Sequence, residues 1–203
     1  MIGKHTQLII FQKVMNMLSD TLYTAKSDLI KNHITFRFKL QKLRKKLCKN
    51  MDNTFKKLNL KDQKEVIVLF SPESFEKNIE SITTETSVIR SLDAVAEVTF
   101  AMVFVTQQIE IDTVIPKIAP MLKGDAVLWM CYPKGTSKKF KCDFNRDTGW
   151  AVMGPYELEP VRMVAIDEDW SALRFKKVDY IKTMKRDSLG ALSEKGRQKA
   201  EQK

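Results

Sequence analysis

Several short segments of this chain are apolar at almost every position instead of alternating between apolar and polar residues. The clearest are residues 65–70, 99–105 and 126–132. A strand that is apolar on both faces has to be covered on both faces, and this is the situation of a parallel sheet between two layers of helices. This feature restricts the chain to an α/β fold more strongly than any other.

Helix signals separate these apolar runs. Ser71 and Pro72 form a typical helix start after the first run, and apolar residues continue the pattern to about Ile82. Residues 106–122 predict a helix interrupted by Pro116 and Pro120, and a further helix is predicted from Asp143 or Asn145 to about Val152.

Three further strands complete the prediction. Residues 87–92 form one of them, while residues 161–166 and 171–175 face each other across four residues and predict an antiparallel hairpin. Only about seven residues separate the strands 87–92 and 99–105, fewer than a parallel crossover usually contains. The predicted fold is a three-layer α/β sandwich with a mostly parallel, Rossmann-like sheet and a C-terminal antiparallel hairpin.

The charge of the chain divides it into unequal parts. Residues 1–50 contain eleven basic and two acidic side chains, so residues 51–203 contain 24 basic and 23 acidic ones out of the totals of 35 and 25. We therefore predict a basic N-terminal extension over residues 1–50, a single α/β domain over 51–185 and a charged, flexible tail over 186–203. The balanced charge of the domain argues against nucleic acid as its partner.

The extension itself has two interpretations. Residues 39–49 have the pattern of a basic amphipathic helix, which is typical of an arm that binds nucleic acid or anionic lipid. Alternatively Met51 is the true start of the protein, because composition changes abruptly there.

Cysteine usage and hydropathy bear on location. The three cysteines, Cys48, Cys131 and Cys142, include no C-x-x-C pair, and no apolar run reaches the roughly 18 residues of a membrane span. A cytoplasmic protein is therefore expected.

Residues 51–203 lack the common catalytic and nucleotide-binding signatures. Both histidines, His5 and His33, lie in the extension, so the domain has no Ser-His-Asp or Cys-His pair and no histidine for a zinc site. It also has neither a phosphate-binding P-loop nor a G-x-G-x-x-G sequence. These absences favour a non-catalytic module over an enzyme, and they leave any cofactor undetermined.

The candidate ligand site lies at the carboxyl ends of the predicted strands, where α/β proteins usually bind ligands. The loop after residues 126–132 offers two ammonium groups, two hydroxyls and a glycine, groups that suit a phosphate or carboxylate. Ser71 and Trp170 are predicted to lie near this loop. The candidate site therefore consists of Ser71, Lys134, Gly135, Thr136, Ser137, Lys138 and Trp170. A solvated loop with lysines for solubility is the alternative.

The acidic turn at Asp167, Glu168 and Asp169 has two interpretations. Carboxylates of this kind hold hard cations such as magnesium, but three adjacent acids converge poorly on one ion. We therefore expect Asp167 or Asp169 to close the hairpin turn through backbone amides, and we predict no metal site.

Two resemblances accompany these residues. The order of residues 99–178, with its strand, helix, strand, helix and closing hairpin, resembles the second half of class I S-adenosylmethionine-dependent methyltransferases. The sequences YPKGTSK (residues 132–138) and DEDWSALRF (residues 167–175), together with residues 143–150, resemble a family of small bacterial α/β proteins of unknown function over residues 64–185. The first resemblance implies a cofactor loop after the first strand, but residues 70–73 contain no glycine.

Three functional hypotheses remain open. The first is a non-catalytic module that binds a small anionic or nucleotide-like ligand, or a protein partner, at the carboxyl edge of the sheet. The second is a methyltransferase-like enzyme that uses carboxylates and Lys134. The third is a nucleic-acid or membrane function of the N-terminal extension.

Overall fold

The computed structural model describes residues 53–93, 95–184 and 188–202, together with Arg37. The expectations for residues 1–50, including the amphipathic helix and the choice of Met51 as the start, lie outside the described residues. No helix in the described part of the chain is both long enough and apolar enough to span a membrane.

The described residues form one six-stranded sheet with the strand order β2-β1-β3-β4-β6-β5. The strands are β1 (Glu65–Leu69), β2 (Ser87–Ile89), β3 (Val98–Phe104), β4 (Leu122–Pro133), β5 (Leu158–Ala165) and β6 (Trp170–Lys177). The first four strands pair in parallel, and β6 is antiparallel to both β4 and β5. The prediction of an α/β fold with a mostly parallel sheet and a C-terminal antiparallel pair is confirmed.

The helices of the described residues are short. They are α1 (Asn53–Lys57), α2 (Glu76–Glu80), α3 (Gln108–Ile118) and α4 (Glu194–Glu201). A 3-10 helix, Glu73–Phe75, precedes α2, and another, Ala119–Met121, follows α3. Two more 3-10 helices are Ala151–Tyr156 and Val178–Tyr180. Pro116 is accommodated inside α3, and the interruption predicted between residues 106 and 122 is the 3-10 turn that contains Pro120.

Each face of the central sheet packs into its own apolar cluster. One cluster joins Ile67 and Leu128 to Ile115 of α3, and the other joins Val68 and Trp129 to residues of α1 and α2. β3 and β4 contribute to both clusters because their side chains alternate between two buried faces. This double burial is the reason that their sequences lack polar alternation.

The short connection between β2 and β3 is explained by the strand order. β2 and β3 do not pair with each other, because they lie on opposite sides of β1. β2 has only three residues, so the chain has only a short distance to return along the strand direction before β3 begins. A connection without a helix is therefore long enough.

The helix predicted from Asp143 or Asn145 to about Val152 is wrong. Residues 134–150 form turns and loops, and helical geometry begins only with the 3-10 helix at Ala151. The Asn145 side chain accepts hydrogen bonds from the amides of Asp147 and Thr148 at 2.8 and 3.1 Å, which closes a local turn that competes with a helix. Gly149 then takes a φ of +92°.

The sequence predicts a flexible tail from Arg186, whereas the structure places α4 within residues 188–202. Its anchor is Glu159 of β5, which is fully buried. The Glu159 carboxylate accepts hydrogen bonds from the amides of Leu192 and Ser193 and from the Ser193 hydroxyl, at 3.1, 2.7 and 2.7 Å. The same Ser193 hydroxyl accepts from the Gly196 amide and caps α4. This anchor is a polar contact between distant residues, so apolar content gives no sign of it.

The anchor makes a testable prediction at Gly196. A Cβ at this position would collide with the Glu159 carboxylate and the Ser193 hydroxyl. We expect Gly196→Ala to cost about 1–3 kcal/mol in the free energy of unfolding, because the buried carboxylate loses its partners. Hydrogen exchange should accelerate at residues 188–202.

Gly135→Ala is the matched control, because a Cβ at Gly135 meets no atom within 4 Å. The amides of residues 188–202 should exchange at the same rate in Gly135→Ala as in the unchanged protein. If they exchange equally slowly in Gly196→Ala, Glu159 does not hold the tail.

Candidate functional site

The edge formed by the carboxyl ends of β1 and β3 is the topological switch point of the sheet. From β1 the chain moves outward to β2, and it then returns to the other side of β1 to form β3. The segments that follow β1 and β3 therefore diverge and leave a crevice between them, which is where open α/β sheets usually bind ligands. Residues 70–72 and 105–107 are these segments.

Phe70, the first residue after β1, has an unusual conformation. Its φ is +57°, in the left-handed region that costs a bulky residue about 1–2 kcal/mol, and 69% of its surface is exposed. The sequence predicted Phe70 as the buried end of the strand. Instead the chain turns its ring outward, so a strained backbone presents an apolar side chain to solvent.

Phe70 lines a cleft with a volume of about 400 Å³. Ile109 of α3, which is 63% exposed, lines it as well, and buried Leu69 and Val114 add apolar surface. The segment after β2 contributes polar and apolar groups together: Arg90, Ser91, Leu92 and Asp93. We call this space the switch-point cleft.

The amides at the start of α3 are occupied by carboxylates of the protein. The amides of Thr106 and Gln107 donate to Glu110 at 2.6 and 2.9 Å, and the Gln108 amide donates to Asp143 at 2.8 Å. A free helix N-terminus attracts phosphate. Here two internal carboxylates already take that position, so this end of α3 offers no vacant anion site.

A second polar group borders the cleft at Arg90. Its guanidinium donates two hydrogen bonds to Glu76, at 3.0 and 2.6 Å, and one to the Ser71 hydroxyl at 2.7 Å. These hydrogen bonds lower the pKa of Glu76 and raise that of Arg90. Ser71, a predicted site residue, therefore ties α2 to the end of β2.

The loop of residues 134–138, which we call the lysine loop, packs onto the acidic turn that links β5 to β6. The Lys134 ammonium donates to the carbonyl of Asp167, and the Ser137 hydroxyl donates to the Asp169 carboxylate at 2.8 Å. Gly135, Thr136 and Lys138 are exposed. The structure thus brings the lysine loop and the Asp167–Asp169 turn together. The polar groups of Lys134 and Ser137 are already hydrogen-bonded to this turn.

The acidic turn is closed by its own first residue. Asp167 accepts hydrogen bonds from the amides of Asp169 and Trp170 at 2.8 and 2.7 Å, which is the turn chemistry that the sequence predicts. Among the described residues no group of three metal-ligating side chains converges.

Trp170 lies in the core and not at an exposed edge. It is 3% exposed and packs against Phe104 and Phe140, with ring centroids 5.2 and 5.1 Å away. Its indole nitrogen is buried and has no hydrogen-bond partner among the described residues. As the first residue of β6, Trp170 follows a turn in which Asp167 and Glu168 are exposed, so its position in the sequence indicates a surface residue. Its pairing with Pro133 places it inside.

The predicted site residues therefore separate into two groups. Ser71 belongs to the Arg90 network beside the switch-point cleft, while Lys134 and Ser137 belong to the contact with the acidic turn. Gly135, Thr136 and Lys138 are exposed, and Trp170 is buried. The prediction did not include Phe70, Ile109 or Asp93. The sequence pattern placed Ile109 with Val114 and Ile118 on one apolar face of the helix, so it gave no sign that Ile109 is exposed.

The thiols of the domain are poor nucleophiles. Burial raises the pKa of Cys131 well above its ordinary value and also raises that of Cys142. A reactive cysteine needs the opposite shift. Burial likewise raises the pKa of Tyr132.

Comparison with known proteins adds similarities of fold. No protein-family model and no curated protein matches the sequence. A SAM dependent methyltransferase from Aquifex aeolicus is similar at 11% identity with a TM-score of 0.41, covering 66% of this chain and 98% of that chain. A protein in the NADB-Rossmann superfamily from Streptococcus agalactiae is similar at 10% identity with a TM-score of 0.39, covering 62% and 68%.

The N-methyltransferase NodS from Bradyrhizobium japonicum is a third similar structure, at 13% identity with a TM-score of 0.37, covering 68% of this chain and 95% of that chain. All three TM-scores lie below 0.5, so the assignment of the fold rests on the strand order of this chain itself. The resemblance to a family of unknown function stays a prediction.

The Arg90 network predicts a pH effect. Because Arg90 lowers the pKa of Glu76, the pair stabilises the fold above the ordinary carboxyl pKa of about 4.3, and this contribution is lost as the pH falls through the lower pKa of the folded state. We expect Arg90→Gln to raise the Glu76 pKa in an NMR titration. The cost at pH 7 should be below about 1 kcal/mol, since both side chains are more than a third exposed.

Lys77→Gln, on the exposed side of α2, is the control and should leave the titration of Glu76 nearly unchanged. A Glu76 pKa that does not move in Arg90→Gln would contradict the network.

Proposed function

We propose that the domain binds a nucleoside-type ligand without a phosphate group in the switch-point cleft, and that S-adenosylmethionine is its most suitable representative. The single observation that supports this proposal best is the exposed ring of Phe70 in a strained backbone at the switch point. Backbone strain of this kind concentrates at ligand sites, where the surrounding structure holds it in place.

The apolar side of the cleft suits a flat ring system. Phe70 and Ile109 are both more than half exposed, and Leu69, Leu92 and Val114 lie with them in the same cleft. Stacking of a base on an aromatic side chain contributes about 1–3 kcal/mol to binding. A volume of about 400 Å³ is within the usual range for small-molecule sites.

The polar side suits a ribose. Asp93 follows β2 and is exposed in the cleft, 23 positions after Phe70. In dinucleotide-binding α/β folds an acidic residue about 20 positions after the first turn accepts hydrogen bonds from ribose hydroxyls. We assign Asp93 this role.

The cleft is lined by two carboxylates, Asp93 and Glu110, and two cations, Arg90 and Lys117, so its charge is balanced. Two other features disfavour a phosphate. Glu110 takes the amides of Thr106 and Gln107, and residues 70–73 have no glycine that would let the backbone approach a phosphate closely. S-adenosylmethionine is a nucleoside whose sulfonium cation stands where a nucleotide has its phosphate. The sulfonium cation of a bound S-adenosylmethionine is attracted by the carboxylates of the cleft, Asp93 and Glu110.

A methyltransferase-like enzyme is the second candidate function. An acceptor substrate has room in an open cavity of about 840 Å³ at the carboxyl end of β4, lined by Lys134, Asn145 and Asp147 among others. The Gln108–Asp143 hydrogen bond links the wall of this cavity to the helix that borders the cleft. Lys134 is a weak choice as the reacting group, because its ammonium already donates to Asp167.

The proposal predicts opposite effects of Phe70→Gly on stability and on binding. Glycine relieves the left-handed backbone, and an exposed ring loses little buried surface, so the free protein should gain about 1 kcal/mol in the free energy of unfolding. Titration calorimetry should show that S-adenosylmethionine binds at least about tenfold more weakly. Adenosine should bind the unchanged protein more tightly than adenosine monophosphate does.

Val161→Ala is the matched control, since Val161 is an exposed apolar residue of β5 outside the cleft. The proposal fails if Phe70→Gly binds S-adenosylmethionine as tightly as Val161→Ala does, or if adenosine monophosphate is the preferred ligand.

A further inference from the structure

Two arginines lie directly opposite each other on neighbouring strands. Arg162 of β5 is the register partner of Arg174 of β6, and Lys176 lies two residues further along β6 on the same face. Like charges that face each other across an antiparallel pair destabilise a sheet. We call these three residues the cationic cluster.

Few carboxylates balance this cluster. Asp125 contacts the Lys176 ammonium at 3.0 Å but reaches Arg174 only at 3.9 Å. Glu159, the register partner of Lys176, is fully buried and accepts its hydrogen bonds from Leu192 and Ser193. Arg162 has no ion-pair or hydrogen-bond partner within the described ranges, and the Asp147 carboxylate, which lines the same cavity, pairs with Arg146.

Arg174 is unusual because its charge is partly buried. Its side chain is only 14% exposed, and its Nε atom is buried without a hydrogen-bond partner in the described part of the chain. Burial lowers the pKa of Arg174, and Arg162 lowers it further, while Asp125 opposes both effects. A buried donor of a charged group normally has a partner, since leaving it unsatisfied costs more than an ordinary hydrogen bond contributes.

The cluster borders an open cavity of about 770 Å³. Arg162, Arg174 and Lys176 line it, together with apolar groups that include Met163 and Tyr180. The cavity is thus large enough for a small molecule, and the three cationic residues form part of its wall.

We propose that the cationic cluster binds an oxyanion, a phosphate or carboxylate group of a small ligand, between Arg162 and Arg174. A guanidinium presents paired N–H donors that match the two oxygens of such a group. The bound oxyanion accepts hydrogen bonds from the guanidinium groups and offsets the repulsion between the two arginines.

This site is separate from the switch-point cleft, with which it shares no lining residue. Its cavity shares Arg146, Asp147 and Met163 with the cavity that the lysine loop borders, but no residue of the lysine loop lines it. The juxtaposition of Arg162 and Arg174 was not evident in the sequence, because register decides which charges face each other.

The test uses the full chain with inorganic phosphate, succinate and chloride at equal ionic strength. We expect phosphate, succinate or both to raise the melting temperature above its value in chloride, and the comparison of the two identifies the preferred oxyanion. Arg162→Gln should weaken the affinity for that oxyanion at least about tenfold in titration calorimetry. Because Arg162 is exposed and repels Arg174, the ligand-free variant should melt at the same temperature as the unchanged protein or higher.

Two further variants locate the site. Arg174→Lys keeps the charge but loses the paired donors, and it should bind the oxyanion more weakly than the unchanged protein. Lys138→Gln removes an exposed lysine of the lysine loop and should bind normally. The proposal is overturned if neither oxyanion raises the melting temperature, if Arg162→Gln binds as tightly as the unchanged protein, or if Lys138→Gln abolishes binding.

Discussion

Burial of β3 and β4 on both faces is the constraint on which the rest of the structure depends. Their side chains fill two separate apolar clusters, so helices have to cover the sheet from both sides. Trp129 shows how specific this packing is, because its fully buried indole donates a 2.8 Å hydrogen bond to the carbonyl of Leu58. One side chain of β4 thereby satisfies a backbone group in the segment after α1. Fixed in this way, the strands bring the ends of β1 and β3 to one edge.

At that edge the chain departs from what stability alone favours. Phe70 takes a strained conformation to expose its ring, while Glu110 fills the amides that would otherwise attract a phosphate. Both features favour an apolar ring over a phosphate as the ligand. The exposed ring of Phe70 creates apolar binding surface, and Glu110 removes an anion site. The cationic cluster of β5 and β6 carries positive charge, which is complementary to an oxyanion. We propose on these grounds that the domain recognises a nucleoside and an oxyanion at different places.

The strands were predictable because their signal is local, whereas the site depended on contacts that are distant in sequence. Apolar runs identify β1, β3 and β4 without reference to their neighbours. In contrast, the burial of Trp170 depends on its pairing with Pro133, and the role of Asp143 depends on a helix 35 residues earlier. The left-handed turn at Phe70 contains no glycine or asparagine, the residues that would predict it from the sequence. Lysines and serines in a loop suggested a ligand site, but several of them bind the neighbouring turn instead.

The most direct test of the account is an NMR titration of the full chain with S-adenosylmethionine, followed through the backbone amide signals. The account predicts the largest changes at Phe70, at residues 90–93 and along the first turns of α3, the segments that line the switch-point cleft. Amides of the lysine loop and of Arg162 and Arg174 should change little. Changes concentrated in the lysine loop with none at Phe70, or no saturable change anywhere, would contradict the central claim that the cleft is a nucleoside site.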